Sequence, residues 1–135
     1  MGRRLLVGAL VVLPLAACTA TSPSPGDPAA ATAPSYTYVL ESSCGERALL
    51  GRYAVTVVDS QVTAAEDLAD HTPVPDSLIA LVPTIDELAH RVMTDSPSDV
   101  SYVADTGLLV SVRFEGDPKA IDDEECYAIS AYEPT

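Results

Sequence analysis

The 135-residue sequence contains no tryptophan and a single phenylalanine, Phe114. A core must therefore be assembled from Val, Leu, Ile, Ala and the six tyrosines. Positive charge is scarce too. Beyond residue 18 the basic residues are Arg47, Arg52, Arg91, Arg113 and Lys119, against all 20 acidic residues of the chain, a net charge of −15. Binding to phosphate backbones depends on clustered Lys and Arg that release counterions, so nucleic acid is a poor candidate partner. Anionic lipid headgroups are disfavoured for the same reason. There is no Gly-x-Ser-x-Gly, no Gly-rich phosphate loop, no zinc-ligand spacing and no Cys-x-x-Cys. The two histidines, His71 and His90, stand apart from any serine in a strand-to-helix elbow. The chain reads as non-enzymatic, with a hydrolase as the lesser alternative.

Long hydrophobic runs are also missing. The longest, Leu5 to Ala17, is 13 residues with Pro14 inside it, against the roughly 20 that cross a bilayer as a helix. It follows Arg3 and Arg4 and ends in Leu15-Ala16-Ala17-Cys18. A charged start, a short apolar stretch and small residues before a cut site make a secretory signal. Leu-Ala-Ala-Cys resembles the bacterial lipobox, which implies that the Cys18 sulfur receives a diacylglyceryl group and that the chain is cut just before it. Residues 1–17 are expected to be a lipoprotein signal peptide, and Cys18 the lipidated (palmitate-type acyl) mature N-terminus. The protein would then sit on the extracytoplasmic face of the cell membrane, held to the lipid bilayer by acyl chains alone. Two or more chains give stable anchoring where one does not.

From Thr19 to Ser35 the chain is Pro, Ala, Ser and Thr without apolar periodicity. Residues 18–35 are expected to be a disordered or polyproline-like tether, reaching on the order of 50 Å at about 3.1 Å per residue. Residues 36–135 are expected to form one domain. Tyr36 to Glu41 alternates, with Tyr36, Tyr38 and Leu40 on one face, and Arg52 to Asp59 does the same with Tyr53, Val55 and Val57. Val62 to Ala64 extends this meander. Glu66 to Pro83, with three prolines, reads as a long loop containing a helical turn near Ser77 to Leu81. Thr84-Ile85-Asp86-Glu87 is a capping-box pattern, and Ile85, Leu88, Ala89 and Val92 make one apolar stripe until Ser96-Pro97 ends the helix. Val100 to Ala104 and Leu108 to Phe114 flank Asp105-Thr106-Gly107, a turn with Gly supplying φ > 0. Cys126 to Tyr132 alternates again. The expected fold class is α+β: an antiparallel sheet of about five strands packed by one main helix, in the order β-β-(β)-α-β-β-β.

Two cysteines remain. In an oxidising compartment Cys44 and Cys126 are expected to pair, two free thiols or an intermolecular bridge being the alternatives. The acidic run from Asp117 to Glu125 has the oxygens for a divalent cation but lacks the alternating spacing and Gly of a calcium loop. It reads as a solvated loop, with Asp122, Asp123 and Glu125 the metal candidates if there is a site; Glu66, Asp67, Asp70 and His71 form a second such group. No cofactor is implied beyond the acyl groups on Cys18.

The signal and Pro-rich tether, Tyr36-Thr-Tyr38 with Cys44, Tyr53-Ala-Val-Thr-Val57, Thr84-Ile-Asp-Glu-Leu88 and Asp122-Asp-Glu-Glu-Cys-Tyr127-Ala-Ile129 together resemble a group of actinobacterial lipoproteins catalogued as a domain of unknown function. The resemblance spans roughly Ser35 to Pro134. It implies the location above and no activity. This chain departs from it with Asp59-Ser60 where Asp-Gly is common, and with Leu108-Leu109 where Tyr-Pro is common. The functional expectation is a membrane-anchored binding or cell-envelope accessory module with an envelope protein as partner. The alternative is a divalent-cation-binding lipoprotein using residues 117–125.

Overall fold

Tyr36, Tyr38 and Leu40 share one face of their strand, and Tyr53, Val55 and Val57 share the same face of its neighbour; all six are at most 4% exposed. These two strands, β1 (Tyr36–Ser42) and β2 (Gly51–Val58), pair antiparallel in the computed structural model, which describes residues 30–135. Four more strands follow: β3 (Gln61–Asp67), β4 (Asp99–Tyr102), β5 (Leu109–Phe114) and β6 (Glu125–Pro134). The six make one antiparallel sheet in the order β3-β2-β1-β6-β5-β4. One face of the sheet carries the core, completed by Ala65, Leu109, Val112, Phe114, Tyr127 and Ile129.

Two short helices, α1 (Asp76–Ile79) and α2 (Ile85–Thr94), lie over that face. The capping box forms: the Glu87 amide donates to Thr84 Oγ1 at 3.0 Å and the Thr84 amide to Glu87 Oε2 at 2.7 Å. Ile85 and Leu88 are fully buried. Two tyrosines of β1 fix the helix start in space. Tyr36 Oη accepts from the Ile85 amide at 3.1 Å, and the Tyr38 hydroxyl donates to the Pro83 carbonyl.

The expected five-stranded α+β sheet packed by one main helix is overturned. Among the described residues 41% are strand and 13% helix, in six strands and two short helices. One cause is β3, where Ala64, Ala65, Glu66 and Asp67 have weak strand propensity yet pair with Tyr53 to Thr56 of β2. Pairing with a well-formed neighbour outweighs intrinsic preference. The other is α2, only ten residues long, about 15 Å at 1.5 Å per residue, so it covers the β5 side alone. The β3 side is covered by α1 and by the segment from Pro73 to Pro83, through Val74 and Val82.

Register gives the sheet two distinct ends. At the turn end Tyr36 faces Val57 and Pro134, close to the Asp59–Ser60 hairpin. At the loop end Ser42 faces Gly51 and Tyr127, and Phe114 faces Glu125, so the connections 43–50 and 115–124 gather there. Along β6 the register shifts opposite Tyr38, and Ala131 adopts φ 51°. This bulge moves Tyr132 onto the core side, 5.2 Å from the Tyr36 ring. Ala30 to Ser35 are laid against the turn end; Cys18 to Ala29 lie outside the described residues.

The β2–β3 hairpin turns on two residues with positive φ, Asp59 at 51° and Ser60 at 65°. That is the geometry of a two-residue loop that favours Asn-Gly or Asp-Gly, here built with a side chain at both positions. A left-handed conformation costs an L-residue roughly 1–2 kcal/mol, partly offset by the entropy glycine would lose. Ser60→Gly is therefore expected to stabilise the domain by about 0.5–1 kcal/mol, seen as a thermal midpoint raised by a few degrees. A lowered midpoint would mean that the Ser60 side chain contributes more than its backbone strain costs.

Candidate functional site

Cys44 and Cys126 are joined by a disulfide with Cα atoms 5.3 Å apart. Around it the loops 43–47 and 122–126 are fastened along their length. The Ser43 amide donates to the Cys126 carbonyl at 3.1 Å and the Glu46 amide to the Asp122 carbonyl at 3.2 Å. Gly45, at φ 76°, lies so close that a Cβ there would collide with the Glu124 carbonyl oxygen. Three residues beyond Cys44, Arg47 Nη2 meets Glu125 Oε1 at 2.5 Å.

Glu125 is the centre of the arrangement. Its second oxygen accepts from Arg91 Nη1 at 2.7 Å and from the Tyr127 hydroxyl at 2.9 Å. Arg91 comes from the last turn of α2, with its guanidinium carbon 4.1 Å from the Phe114 ring centroid and its Nε on Asp95 at 2.9 Å. The Glu125 side chain is 19% exposed. Burial alone would push its carboxyl up. The hydrogen bonds from Arg91 and Tyr127 and the charges of Arg91 and Arg47 outweigh burial and hold it below the usual carboxylate range. Burial, then the bond to Glu125, push the Tyr127 hydroxyl up. Burial opposes the charge on Arg91, and Glu125 and Asp95 more than restore it, so its pKa rises. All three shifts lead away from neutrality, whereas a proton-transfer group is tuned toward it. This is a fixed-charge knot.

Beside the knot the surface is hollow. A cavity of about 310 Å³ is lined by Leu40, Leu49, Tyr53, Val82 and Tyr127 together with the polar side chains of Ser42, Glu46 and Arg47. It adjoins a wider groove of about 690 Å³ that shares Arg47, Leu81, Pro83 and Tyr127 and runs along α2 from Arg91 and His90 past Glu87 to Asp86 and Ser60 at the turn end. Leu81 is 57% exposed on the rim. The two tyrosine hydroxyls here are engaged: Tyr53 donates to the Leu50 carbonyl at 2.9 Å, and Tyr127 to Glu125.

The three metal candidates are not brought together. Asp123 Oδ2 accepts from the Asp117 amide at 2.6 Å, Asp122 contributes its carbonyl to Glu46, and Glu125 faces two guanidiniums. In the second acidic group His71 Nδ1 lies 3.1 Å from Glu66, while Asp67 and Asp70 accept from the amides of Ala69 and Thr72. Among the described residues no group of three or more His, Cys, Asp or Glu is placed to hold a metal ion. No helix among them is long and apolar enough to cross a membrane. Arg47, Arg91, Tyr127 and Leu81 had no place among the candidates drawn from sequence. One signal pointed to Arg47: once Cys44 and Cys126 pair, it is carried beside Glu125.

Residues 29–134 match the model of a family of unknown function (DUF6174). No curated protein and no solved structure matches the chain.

Two predictions concern this knot. The folded pKa of Glu125 lies below its unfolded value, near 4.5, so its contribution is complete above that pH and is lost as pH falls through the folded pKa. Glu125→Gln is expected to destabilise the domain by roughly 1–3 kcal/mol at pH 7 and to flatten the acid limb of stability against pH. An acid limb as steep as the wild type's would assign it to other carboxylates. The disulfide closes a sequence separation of 82, for which chain entropy gives about 4–5 kcal/mol as an upper figure. Cys44→Ser/Cys126→Ser is expected to lose most of that in denaturant unfolding; a loss within error would place the restraint in the ion knot instead.

Proposed function

The chain belongs to the family of unknown function DUF6174, and we propose that it is an exported, lipid-anchored, non-enzymatic module that holds a cell-envelope protein through the groove beside Glu125. The anchoring part rests on Arg3 and Arg4, the 13-residue apolar run and Leu15-Ala16-Ala17-Cys18. Diacylglyceryl attachment at Cys18 would tie the protein to the membrane from the outer side, and a charge of −15 beyond that residue would keep it from lying on anionic headgroups.

The single observation that carries the binding part is the preformed hollow beside Glu125: a cavity of mixed lining at the loop end, continued by a groove along α2, with a wall fixed by a disulfide and a three-donor carboxylate. Loops fixed on a rigid scaffold are where recognition concentrates, and concave, mostly apolar surface with a few charged groups is what ligands and anchor side chains use. The non-enzymatic part is supported by the chemistry that the candidate groups lack. Both cysteines beyond residue 18 are consumed by the disulfide. The nucleophile–base pairing of covalent catalysis finds no foothold in His71, which is exposed and turned to Glu66, or in His90 on the groove rim.

In-cell crosslinking of the full-length protein, beside a Cys18→Ala secreted form and a Leu81→Asp groove variant, tests both parts. The expected outcome is one abundant envelope protein captured by the wild type and lost with either substitution. Capture unaffected by Leu81→Asp would move the contact off the groove. An unmodified Cys18 in the intact mass of membrane-extracted protein would remove the anchor.

A further inference from the structure

The segment from Ala30 to Ser35 is a strap, and every described residue of it but one has a hydrogen bond to the domain. The Ala30 amide donates to the Gly107 carbonyl at 2.9 Å. The amide and hydroxyl of Thr32 both donate to the Asp86 carboxylate, at the first turn of α2. The Ala33 amide donates to Tyr132 Oη at 3.0 Å. The Pro34 carbonyl accepts from the Ser60 amide at 2.7 Å, and Ser35 accepts from the amides of Asp59 (Oγ, 3.2 Å) and Thr135 (carbonyl, 3.0 Å). The strap thus ties together the β2–β3 turn, the β4–β5 turn, the start of α2 and the end of β6. All of these belong to the turn end.

We infer that the strap makes the turn end the membrane-facing side of the anchored domain, so that the loop end, with its stapled loops and the cavity beside Arg47, is presented outward. The inference rests on the lipid anchor proposed at Cys18. If the chain were free up to Tyr36, positions 19–35 would form a 17-residue leash. With the strap docked, the leash is positions 19–29, eleven residues, which can reach at most about 40 Å against about 60 Å for seventeen. The pivot also moves, from the start of β1 to the β4–β5 turn beside Gly107. The loop end lies a strand length further on, about 20 Å beyond the turn end for a seven-residue strand. A leash shortened from seventeen residues to eleven and attached at the turn end brings that end closest to the bilayer. Charge does not reverse this, since acidic residues mark both ends: Asp59, Asp86, Asp105 and Glu133 at one, Asp117, Asp122, Asp123 and Glu124 at the other.

The test uses the full lipidated protein on phosphatidylcholine vesicles containing a nickel-chelating lipid as a headgroup quencher. Fluorophores are introduced through a non-natural residue at Ala104, exposed at the turn end, or at Ile121, 90% exposed at the loop end. Quenching is expected to be severalfold stronger at 104 than at 121. Asp86→Ala/Tyr132→Phe removes three strap bonds while retaining the capping box and the aromatic ring against Tyr36, and is expected to shrink that difference. Equal quenching at both positions on vesicle-bound wild type, or a difference untouched by the double substitution, overturns the inference. Failure of the anchor reads differently: Cys18 stays unmodified and the protein remains off the vesicles, while amide exchange still shows Ala30 and Ala33 protected. That result overturns the membrane orientation and leaves the strap as a structural feature.

Discussion

One carboxylate, on Glu125, takes donors from three different parts of the chain: Arg47 from the β1–β2 connection, Arg91 from α2 and Tyr127 from its own strand. The loop end exists as a defined surface because these three meet. The gross attraction of such a pair is about 4 kcal/mol at 4 Å in an effective dielectric of 20, but removing the charges from water offsets much of it. What the knot contributes above all is position, since the carboxylate is satisfied only when α2 and the 43–50 connection are both docked. The neighbouring disulfide supplies the complementary restraint by limiting the unfolded chain. One restraint is covalent and indifferent to pH. The other is ionic and lost in acid.

Tyrosine does the work that tryptophan and phenylalanine do in richer cores. Tyr36, Tyr38, Tyr53 and Tyr127 are each at most 8% exposed, yet each hydroxyl finds a partner at the margin of the core. A tyrosine carries a large apolar body and a polar tip that must be satisfied when buried. Here the bodies fill the sheet face, and the tips fasten what surrounds it: the start of α2, the Leu50 connection and the Glu125 knot. Burial raises the hydroxyl pKa of all four, so these tips stay protonated and their bonds are insensitive to pH across the neutral range. Tyr132, turned inward by the Ala131 bulge, does the same for the strap.

Features with a local cause were legible in the sequence. Alternation placed Tyr36, Tyr38 and Leu40 and then Tyr53, Val55 and Val57 on one face, the Thr84–Glu87 box set the start of α2, and Gly107 takes its positive φ of 71°. The disulfide followed from the oxidising context and the count. Illegible features depend on partners remote in sequence. β3 is a strand because β2 lies beside it, and the strap holds by backbone groups and by the Thr32 and Ser35 hydroxyls to partners far away in sequence. The Ala131 bulge leaves no mark, because the residue that bends the strand is an ordinary alanine. Glu125 stood in the sequence within an acidic run read as a solvated loop, a metal candidate only if there is a site; its neighbours in space are arginines, which its acidic neighbours in sequence offered no means of seeing.

The two ends of the sheet therefore differ in kind. At the turn end the strap supplies partners to backbone amides at 59 and 60 and to Asp86, and closes that surface. At the loop end the covering segments are fixed to one another and leave a hollow between them and α2. Ordering loops and side chains is a major cost of association, and here the disulfide, the Gly45 approach and the Glu125 knot have already met it in the free protein. As the binding surface proposed for it, a groove built this way would select by shape and forgo the adaptability of a loop that orders on contact. For a domain proposed to be held near a membrane, that division is consistent: one end is closed by the strap, and the other presents a surface whose loops are fixed before any partner arrives.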